Sequence, residues 1–474
     1  MYKVARTIIK PNGHTSGLYE YLDNYAHLAK NLKNAVIFRV RQIYTGYYKT
    51  NRTPNEQEVF DEVAKLEKEY PNIKVKRDIS YNHLEKLMRV NNNPDFFAGL
   101  PMQTSQAILK EVVQNFKSWH KASAEYDRHP EKFTGKPKIP GYIKNDIAEF
   151  TFTNQDAVVY LNDNDIPYMK LPKTKETMLF PQASPSITKQ DSKSSVIWKE
   201  GYKFAEVKVI PYYGRYIIAS TIEIPDIVKN DNKETCATDL GVNNFASIVC
   251  TDGSSRLYKG GAVLSDIQWF MKKSSDYTSA ITKGHKGVSP HSKRLTNLSY
   301  HHSCFSNDQL HKISRSIVDF CIEHNAGTLI IGVNKYWKQY SNIGKKNNQK
   351  FVAMPITRLR EMITYKATMA GITVIEQEES YTSKADITTR DYMPVYGSGE
   401  KVTFSGKRIS RGLYRCSDGT IINADLNGAA NIMRKAIPSI WGDRTSFSFL
   451  SSPEVFGFHE LNPSSNPVKR IAGL

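Results

Sequence analysis

The sequence predicts an α+β chain of several domains: an antiparallel β-barrel interrupted by a helical insertion, followed by an α/β domain. Three observations carry that expectation. Apolar residues fall at helical spacing from about residue 17 to 127. Between about 128 and 230 the texture changes to alternating runs bounded by Gly and Pro, the pattern of short antiparallel strands. Beyond about 231, short apolar strands alternate with longer amphipathic stretches. A length of 474 residues exceeds one ordinary core, and a hydrophobic fraction of 40% is enough to pack several.

Taken in order, "MYKVARTIIK" reads as a first strand. The segment "GLYEYLDNYAHLAKNLKNAVIFRVRQIYTGYY" is a long helix with Lys30, Lys33, Arg39 and Arg41 among its apolar positions. Further helices are expected at "NEQEVFDEVAKLEKEY", "ISYNHLEKLMRV" and "QTSQAILKEVVQNFKSWHKASAEY". Each can simply bury its stripe, while the Tyr, Trp and Arg interleaving also suits base stacking and phosphate contact. After "HPEKFTGKPKIPGYIK" come "AEFTFTNQDAVVYL" and "SSVIWKEGYKFAEVKVIPYYGRYIIASTIEI", strands that with the first one make a small barrel. The polar "IPDIVKNDNKE" marks a boundary.

The second half opens with "TCATDLGVNNFASIVCTDGSSRLYKGG", a meander whose first strand carries Asp239. A basic helical region follows from about Asp266 to His324. Next come a strand at 328–331, the loop "GKKNNQK", the helix "PITRLREMITYKATMAG" and the strand "ITVIEQEES". After a loop-rich insertion, "NADLNGAANIMRKA" is a helix opening with Asp425. The Ser- and Pro-rich chain past Trp441 is expected to be partly disordered. The resulting division is 1–16 and 128–230 for the barrel, 17–127 for the helical lobe, and 231–384 with 421–440 for the α/β domain. Residues 385–420 are an insertion and 441–474 a tail.

Lys and Arg number 65 against 47 Asp and Glu, a formal charge of +18. Such an excess points to a polyanion, nucleic acid first and an acidic membrane surface second; an ordinary basic enzyme is the bland alternative. No run of 18 apolar residues indicates a membrane span, and "MYKVARTIIK" lacks the apolar core of a secretion signal. Cys236, Cys250, Cys304, Cys321 and Cys416 are scattered, which argues against a disulfide framework and against a cysteine-rich zinc site. A reducing cytoplasm fits.

An acid on a first strand, a later strand–helix–strand unit and an acid opening the last helix form an RNase H-like pattern. Two divalent ions held by shared carboxylates can activate water on one side of a phosphodiester and stabilise the leaving oxygen on the other. Mg²⁺ takes oxygen ligands and keeps several waters, so few carboxylates suffice, but two aspartates alone hold a second ion poorly. A third acid is expected. The stretch "GTLIIGVNKYWKQ" places Gly332 after its apolar run, where an acid would suit the site.

"ATDLGVNNFAS", "GTLIIGVNKYWKQ", "ESYTSK" and "NADLNGAANI" resemble the landmarks of the RuvC-type nuclease domain of the TnpB family. These are transposon-encoded RNA-guided nucleases related to Fanzor and to type V CRISPR effectors. The resemblance is strong from about Glu234 to Ile437. Before residue 230 only the order matches, a wedge-like barrel split by a helical recognition lobe. The resemblance implies a RuvC-like domain in which Asp239 and Asp425 are the first and last catalytic aspartates. It also implies a Mg²⁺ pair, a guide RNA of the omega type, and double-stranded target DNA with its displaced strand. The protein would be a monomer or weak dimer in a bacterial cytoplasm, on the nucleoid, with no membrane partner. An Asp near a helix start also serves as a favourable N-terminal charge.

The family pattern has a Glu where this chain has Gly332. Glu361 lies between Arg358 and Arg360 on a helix and reads as a solvated residue. The strand "ITVIEQEESYTSK" offers Glu376, Glu378 and Glu379 beside the Gly332 strand, at the edge where ligands of open α/β sheets gather. Some relatives look rearranged, with a Glu three residues before a Thr-Ser pair. Here that pair is Thr382–Ser383, so Glu379 is the residue of choice, with Glu378, Glu361 and no working third acid as alternatives. Many relatives carry a four-cysteine zinc ribbon between 383 and 423, but Cys416 alone cannot build one. No zinc is expected, and Lys407, Arg408, Arg411 and Arg415 are left either to touch nucleic acid or to be solvated.

The function implied is an RNA-guided DNA endonuclease cutting beside a short flanking motif. The alternatives are a nuclease-dead RNA-guided repressor, suggested by Gly332, and a small type V CRISPR effector. A strand-transfer transposase lacks support, since no separate DNA-binding domain is apparent.

Overall fold

The structure is a computed structural model. It describes the chain except residues 162–163, 165, 181–186, 191–192, 199, 284–290, 335–353, 396–399, 401, 411 and 464–474. The chain divides into two compact units, Met1–Asp226 and Ile227–Leu474.

The first unit begins with β1 (Tyr2–Ile9) and passes into α1 (Ser16–Gly46), α2 (Pro54–Glu69), α3 (Tyr81–Val90) and α4 (Met102–Arg128). The start of α2 is written locally. Pro54 is pre-set for a first helical turn, Thr53 Oγ1 accepts from Glu56 N at 3.3 Å, and Glu56 returns the bond to Thr53 N at 2.9 Å. Leu22, Ala26, Ala29, Leu32, Val36 and Ile43 make the fully buried stripe of α1, at the spacing a helix needs to face one core.

The β part follows as β2 (Phe150–Thr153), β3 (Val158–Leu161), β4 (Pro167–Lys170), β5 (Thr177–Leu179), β6 (Ile187–Gln190), β7 (Lys193–Trp198), β8 (Lys203–Pro211) and β9 (Tyr216–Glu223). The expected closed barrel is not what these strands form. They make two open sheets, ordered β1-β9-β8-β2 and β5-β4-β3-β7-β6. No ladder joins β2 back to β1 among the described residues. The period-2 patterning specifies a buried face for each strand, but it does not specify which edges meet. Instead the sheet containing β2 turns its Phe150 and Phe152 toward Tyr21 and Tyr25 of α1, with ring centroids 6.0–6.3 Å apart.

The second unit opens with β10 (Glu234–Asp239), β11 (Asn244–Cys250) and β12 (Ser255–Lys259), an antiparallel meander. Two helices follow, α5 (Gly261–Thr282) and α6 (Lys293–Glu323), where one basic helical region was expected. Then come β13 (Ala326–Val333), α7 (Ile356–Met369) and β14 (Thr373–Glu378). The insertion holds β15 (Lys407–Ser410) and β16 (Leu413–Arg415), which with β17 (Ile421–Asn423) make a three-stranded sheet. The chain continues through α8 (Ala424–Ala436), β18 (Glu454–Phe456) and α9 (Phe458–Leu461).

The main sheet runs β14-β13-β10-β11-β12-β18, with β13 parallel to both β10 and β14. One face packs on α5, α6 and α7 through Leu329, Ile331, Leu310, Ile317 and Leu359. The other packs on α8 through Ala237, Ile330, Ala429 and Ile432. The described part of the tail carries regular structure. Its β18 adds to the edge of β12, Arg256 pairs with Glu454 at 2.7 Å, and Phe456 lies against Tyr258 at 5.8 Å. Residues 464–474, and with them the rest of the expected disorder, lie outside the described chain, as do Arg411 and the loop "GKKNNQK".

Candidate active site

Asp239 is the last residue of β10. The parallel pairing of Thr238 with Ile331 puts Asp239 level with Gly332 on β13. Gly332 pairs in turn with Gln377, and Glu379 N continues the β14 ladder by bonding Val333 O at 3.3 Å. All three strands end at one edge of the sheet, which α8 crosses with its first turn. Asn423 caps α8 by accepting from Asp425 N and Leu426 N, so Asp425 sits at the helix start over the same edge.

Two glycines make room for two acids. A Cβ at position 332 would stand 2.5 Å from Ile432 Cδ1 and 3.0 Å from Glu379 Oε2. The Glu379 carboxylate therefore occupies the space that a side chain at 332 would claim. A Cβ at position 428 would stand 2.8 Å from Asp239 Oδ2, so Gly428 lets Asp239 lie against α8.

The electrostatics follow from this crowding. Burial, then the neighbouring charges of Glu379 and Asp425, push the Asp239 carboxyl well above the ordinary carboxylate range. Burial, with Glu378 beside it, pushes Glu379 up to about 7. Among the described residues neither the Asp239 nor the Glu379 carboxylate accepts a hydrogen bond or pairs with a cation. Asp425 differs: Asn244 Nδ2 donates to its Oδ2 at 2.7 Å, and Arg408 of β15 donates to its Oδ1 at 3.1 Å. Lys259 holds Asn244 from behind at 2.9 Å.

The structure thus brings Asp239, Glu379 and Asp425 into one another's field and leaves the other sequence-level possibilities aside. Glu361 is exposed on α7, Glu376 pairs with Arg360 at 3.4 Å, and Glu378 pairs with Lys435 at 2.7 Å. Among the described residues no group of three His, Cys, Asp or Glu closes by itself on a point where an ion would sit. Asp425 is drawn toward Asn244 and Arg408. The donor set nevertheless fits a hard divalent ion: oxygen ligands only, two of them without any compensating donor.

Sequence reasoning missed Asn244, Gly428 and Arg408's contact with Asp425. The first two stood inside quoted motifs, "GVNNFAS" and "NADLNGAANI". A small residue and an amide there had no other evident purpose. In the insertion, Cys416 is buried, and Asp386 accepts from Ser417 N at 2.6 Å and from Thr388 Oγ1 at 2.7 Å.

The sheet order and the crossing of α8 define an RNase H-like fold with acids at the strand ends. A family model described as a probable transposase, OrfB of IS605, matches residues 220–338. A second, described as the Cas12f1-like TNB domain, matches residues 357–432. Over these segments the chain is similar to proteins of the TnpB family and to their Cas12f1 relatives. It is 26% identical over 229 residues to a TnpB-like protein of Acidianus two-tailed virus, covering 47% of this chain and 46% of that protein. It is 32% identical over 133 residues to the CRISPR-associated endodeoxyribonuclease Cas12f1 of Sulfoacidibacillus thermotolerans, covering 27% and 26%. The match thus spans less than half the length of these curated relatives. Among solved structures, the chain is similar to a Cas12f1–sgRNA–target DNA complex at a TM-score of 0.46 and 14% identity, over 87% of this chain and 83% of that one. It is also similar to an AacC2c1–sgRNA–extended non-target DNA complex at 0.41 and 8%, over 81% and 64%. No described helix is long and apolar enough to cross a membrane.

Proposed function

We propose that the chain is a Mg²⁺-dependent, RNA-guided DNA endonuclease encoded by a transposon, cutting target DNA next to a short flanking motif. The observation that carries this reading is the Glu379 carboxylate turned into the space at Gly332, beside an Asp239 that has no hydrogen-bond donor among the described residues. Similarity to this family and the charge of +18 support nucleic-acid partners, a guide RNA and a double-stranded target.

In this reading Asp239, Glu379 and Asp425 hold two Mg²⁺ ions, which when bound supply an activated water and a sink for charge on the leaving oxygen. The chain's own residues prepare that state. Asn244 fixes one oxygen of Asp425 and leaves the other to Arg408, whose exposed guanidinium can move to a phosphate once the aspartate is engaged. The Gly332 and Gly428 gaps seat two acids against the sheet and against α8. Recognition of the target sequence falls to base pairing with the guide, and the protein reads the flanking motif and duplex shape. Retention of three acids at one sheet edge weighs against the nuclease-dead repressor.

The test is to purify the full chain with its RNA, sequence that RNA, and challenge the complex with a matching plasmid carrying a randomised flank. Cutting in Mg²⁺ that is lost in Asp239→Ala and Glu379→Ala but kept in Glu361→Ala supports the assignment. Undiminished cutting by Asp239→Ala would sink it, and normal cutting by Glu379→Ala would move the third acid elsewhere.

A further inference from the structure

Glu379 is not carried by the sheet in the way Asp239 is. It lies one residue past β14, with a single long ladder bond, and Tyr381 two residues on is held at φ +67°, a conformation that costs a bulky residue free energy. Something else must hold this segment.

The partner is a face of α8 that does not carry Asp425. Asn427 and Asn431 are both 0% exposed, although amides are usually found at surfaces. Asn427 Nδ2 donates to Ala385 O at 2.8 Å, and its Oδ1 accepts from Ile387 N at 3.3 Å. Asn431 Nδ2 donates to Ala385 O at 2.8 Å and Thr382 O at 3.1 Å. Lys435 Nζ donates to Ser380 O at 2.9 Å and to Glu378 Oε2 at 2.7 Å. The donors step along the helix four residues at a time, 427, 431, 435. Their carbonyl acceptors step back along the loop, 385, 382, 380. This is a side-chain ladder running antiparallel to the segment that presents Glu379.

Lys435 does two things at the end of that ladder. Its ammonium fixes the carbonyl immediately after Glu379, and it engages Glu378, the only other acid next to it. The Lys435 side chain is 10% exposed and that of Glu378 36%, so the cation is largely withdrawn from water while its partner reaches the surface. Two adjacent glutamates cannot both swing to one edge while one of them is tied to a cation on the neighbouring helix.

We propose that Lys435, seconded by Asn431, is the positioning residue that decides which glutamate of the Glu378–Glu379 pair faces the site. It pins Glu378 and the Ser380 carbonyl to α8 and leaves Glu379 as the acid delivered to the Gly332 space. The inference rests on the nuclease reading above and names what makes a loop-borne acid work there. An acid placed on the strand at 332 would need no such clamp. An acid borne by the following loop does, because its carboxylate must be held against the repulsion of its neighbours.

The test uses the full chain with its copurified RNA, and Mn²⁺ binding followed by electron paramagnetic resonance alongside target cleavage. Lys435→Met is expected to raise the half-saturating Mn²⁺ concentration roughly 10- to 100-fold, the usual range for losing a group that orients a metal ligand. Lys435→Arg keeps a cation and recovers most of the affinity. The discriminating variant is the double substitution Glu378→Gln with Lys435→Met. Once Glu378 no longer carries charge it does not compete, and affinity returns toward wild type, which repair of general packing would not achieve. Wild-type Mn²⁺ binding in Lys435→Met, or no recovery in the double variant, overturns the positioning role while leaving the nuclease reading intact. Binding that is unaffected by Asp239→Ala overturns both.

Discussion

Two groups of acids lie in the same unit and are treated in opposite ways. In the insertion, Asp386 is 0% exposed and its carboxylate accepts from Thr388 N, Thr388 Oγ1 and Ser417 N. Its neighbour Asp391 accepts from Asp386 N, Ser405 N, Ser405 Oγ and Thr389 Oγ1. Burial pushes Asp391 up, yet these hydrogen bonds hold it below the ordinary carboxylate range. At the sheet edge, Asp239 and Glu379 are crowded by like charges and are pushed the other way. The difference teaches what each group is for. Acids that hold a chain together are saturated by that chain. Acids that await a ligand are left short of donors, at a cost in stability.

The comparison breaks most visibly at Asp239. Asp239→Ala is expected to reduce cleavage of a guide-matched plasmid by a factor on the order of 10³ or more, as for loss of a principal catalytic carboxylate. The melting temperature of the metal-free protein should hold or rise, because a repulsive charge is gone. A large fall in melting temperature would place Asp239 with the structural acids instead.

Asp386→Ala is the mirror experiment. It strips three donors of their acceptor and should destabilise the unit by about 3 kcal/mol, read from urea unfolding. A cost near zero would mean that the network only decorates the insertion.

Gly428→Ala tests the crowding with one methyl group. Its Cβ would meet Asp239 Oδ2, so Mn²⁺ affinity should weaken by roughly tenfold while the helix itself gains propensity.

The pH dependence sharpens the contrast further. Glu379 has a folded pKa of about 7 against an ordinary value of 4.5, so between those values the folded state binds more protons than the unfolded one. In EDTA, stability should therefore fall as pH rises through that window, and the loss is complete above about 7. Glu379→Gln should flatten the profile. Asp391 contributes in the opposite sense: its depressed pKa adds stability above the ordinary carboxylate range that is lost on acidification.

The smallest expected effect is that of a chelator on the insertion. Chain-derived bonds around Asp386, with Cys416 as the one cysteine in that segment, predict that EDTA leaves its hydrogen-exchange protection unchanged. Loss of protection there would reveal a metal.

Much of the architecture was legible because it is local. Thr53-Pro54 and Glu56 announce the start of α2, the apolar stripe of α1 repeats at helical spacing, and the meander follows from turn residues at Asp252–Gly253. The vacancy at Gly332 and the glutamates one strand away were also readable, since parallel neighbours end at a common edge. Strand partnership was not. The strands expected in one barrel form two open sheets, and β18 comes from a tail whose sequence reads as partly disordered. Edge pairing depends on surfaces brought together from far apart in the chain, and Arg256 meets Glu454 only in the folded unit.

By itself the sequence determined that the chain is basic, that its second half alternates strands and helices in RNase H-like order, and that Asp239 and Asp425 stand at element ends. The sequence pointed to Glu379 only through a resemblance; the physical basis of the choice, Gly332 backing onto Ile432 and Lys435 holding Glu378, is tertiary. Local propensity sets the period of an element. Which of two adjacent side chains meets an empty space depends on packing between residues 57 and 100 positions apart, as for Lys435 with Glu378 and Ile432 with Gly332, beyond the reach of local propensity.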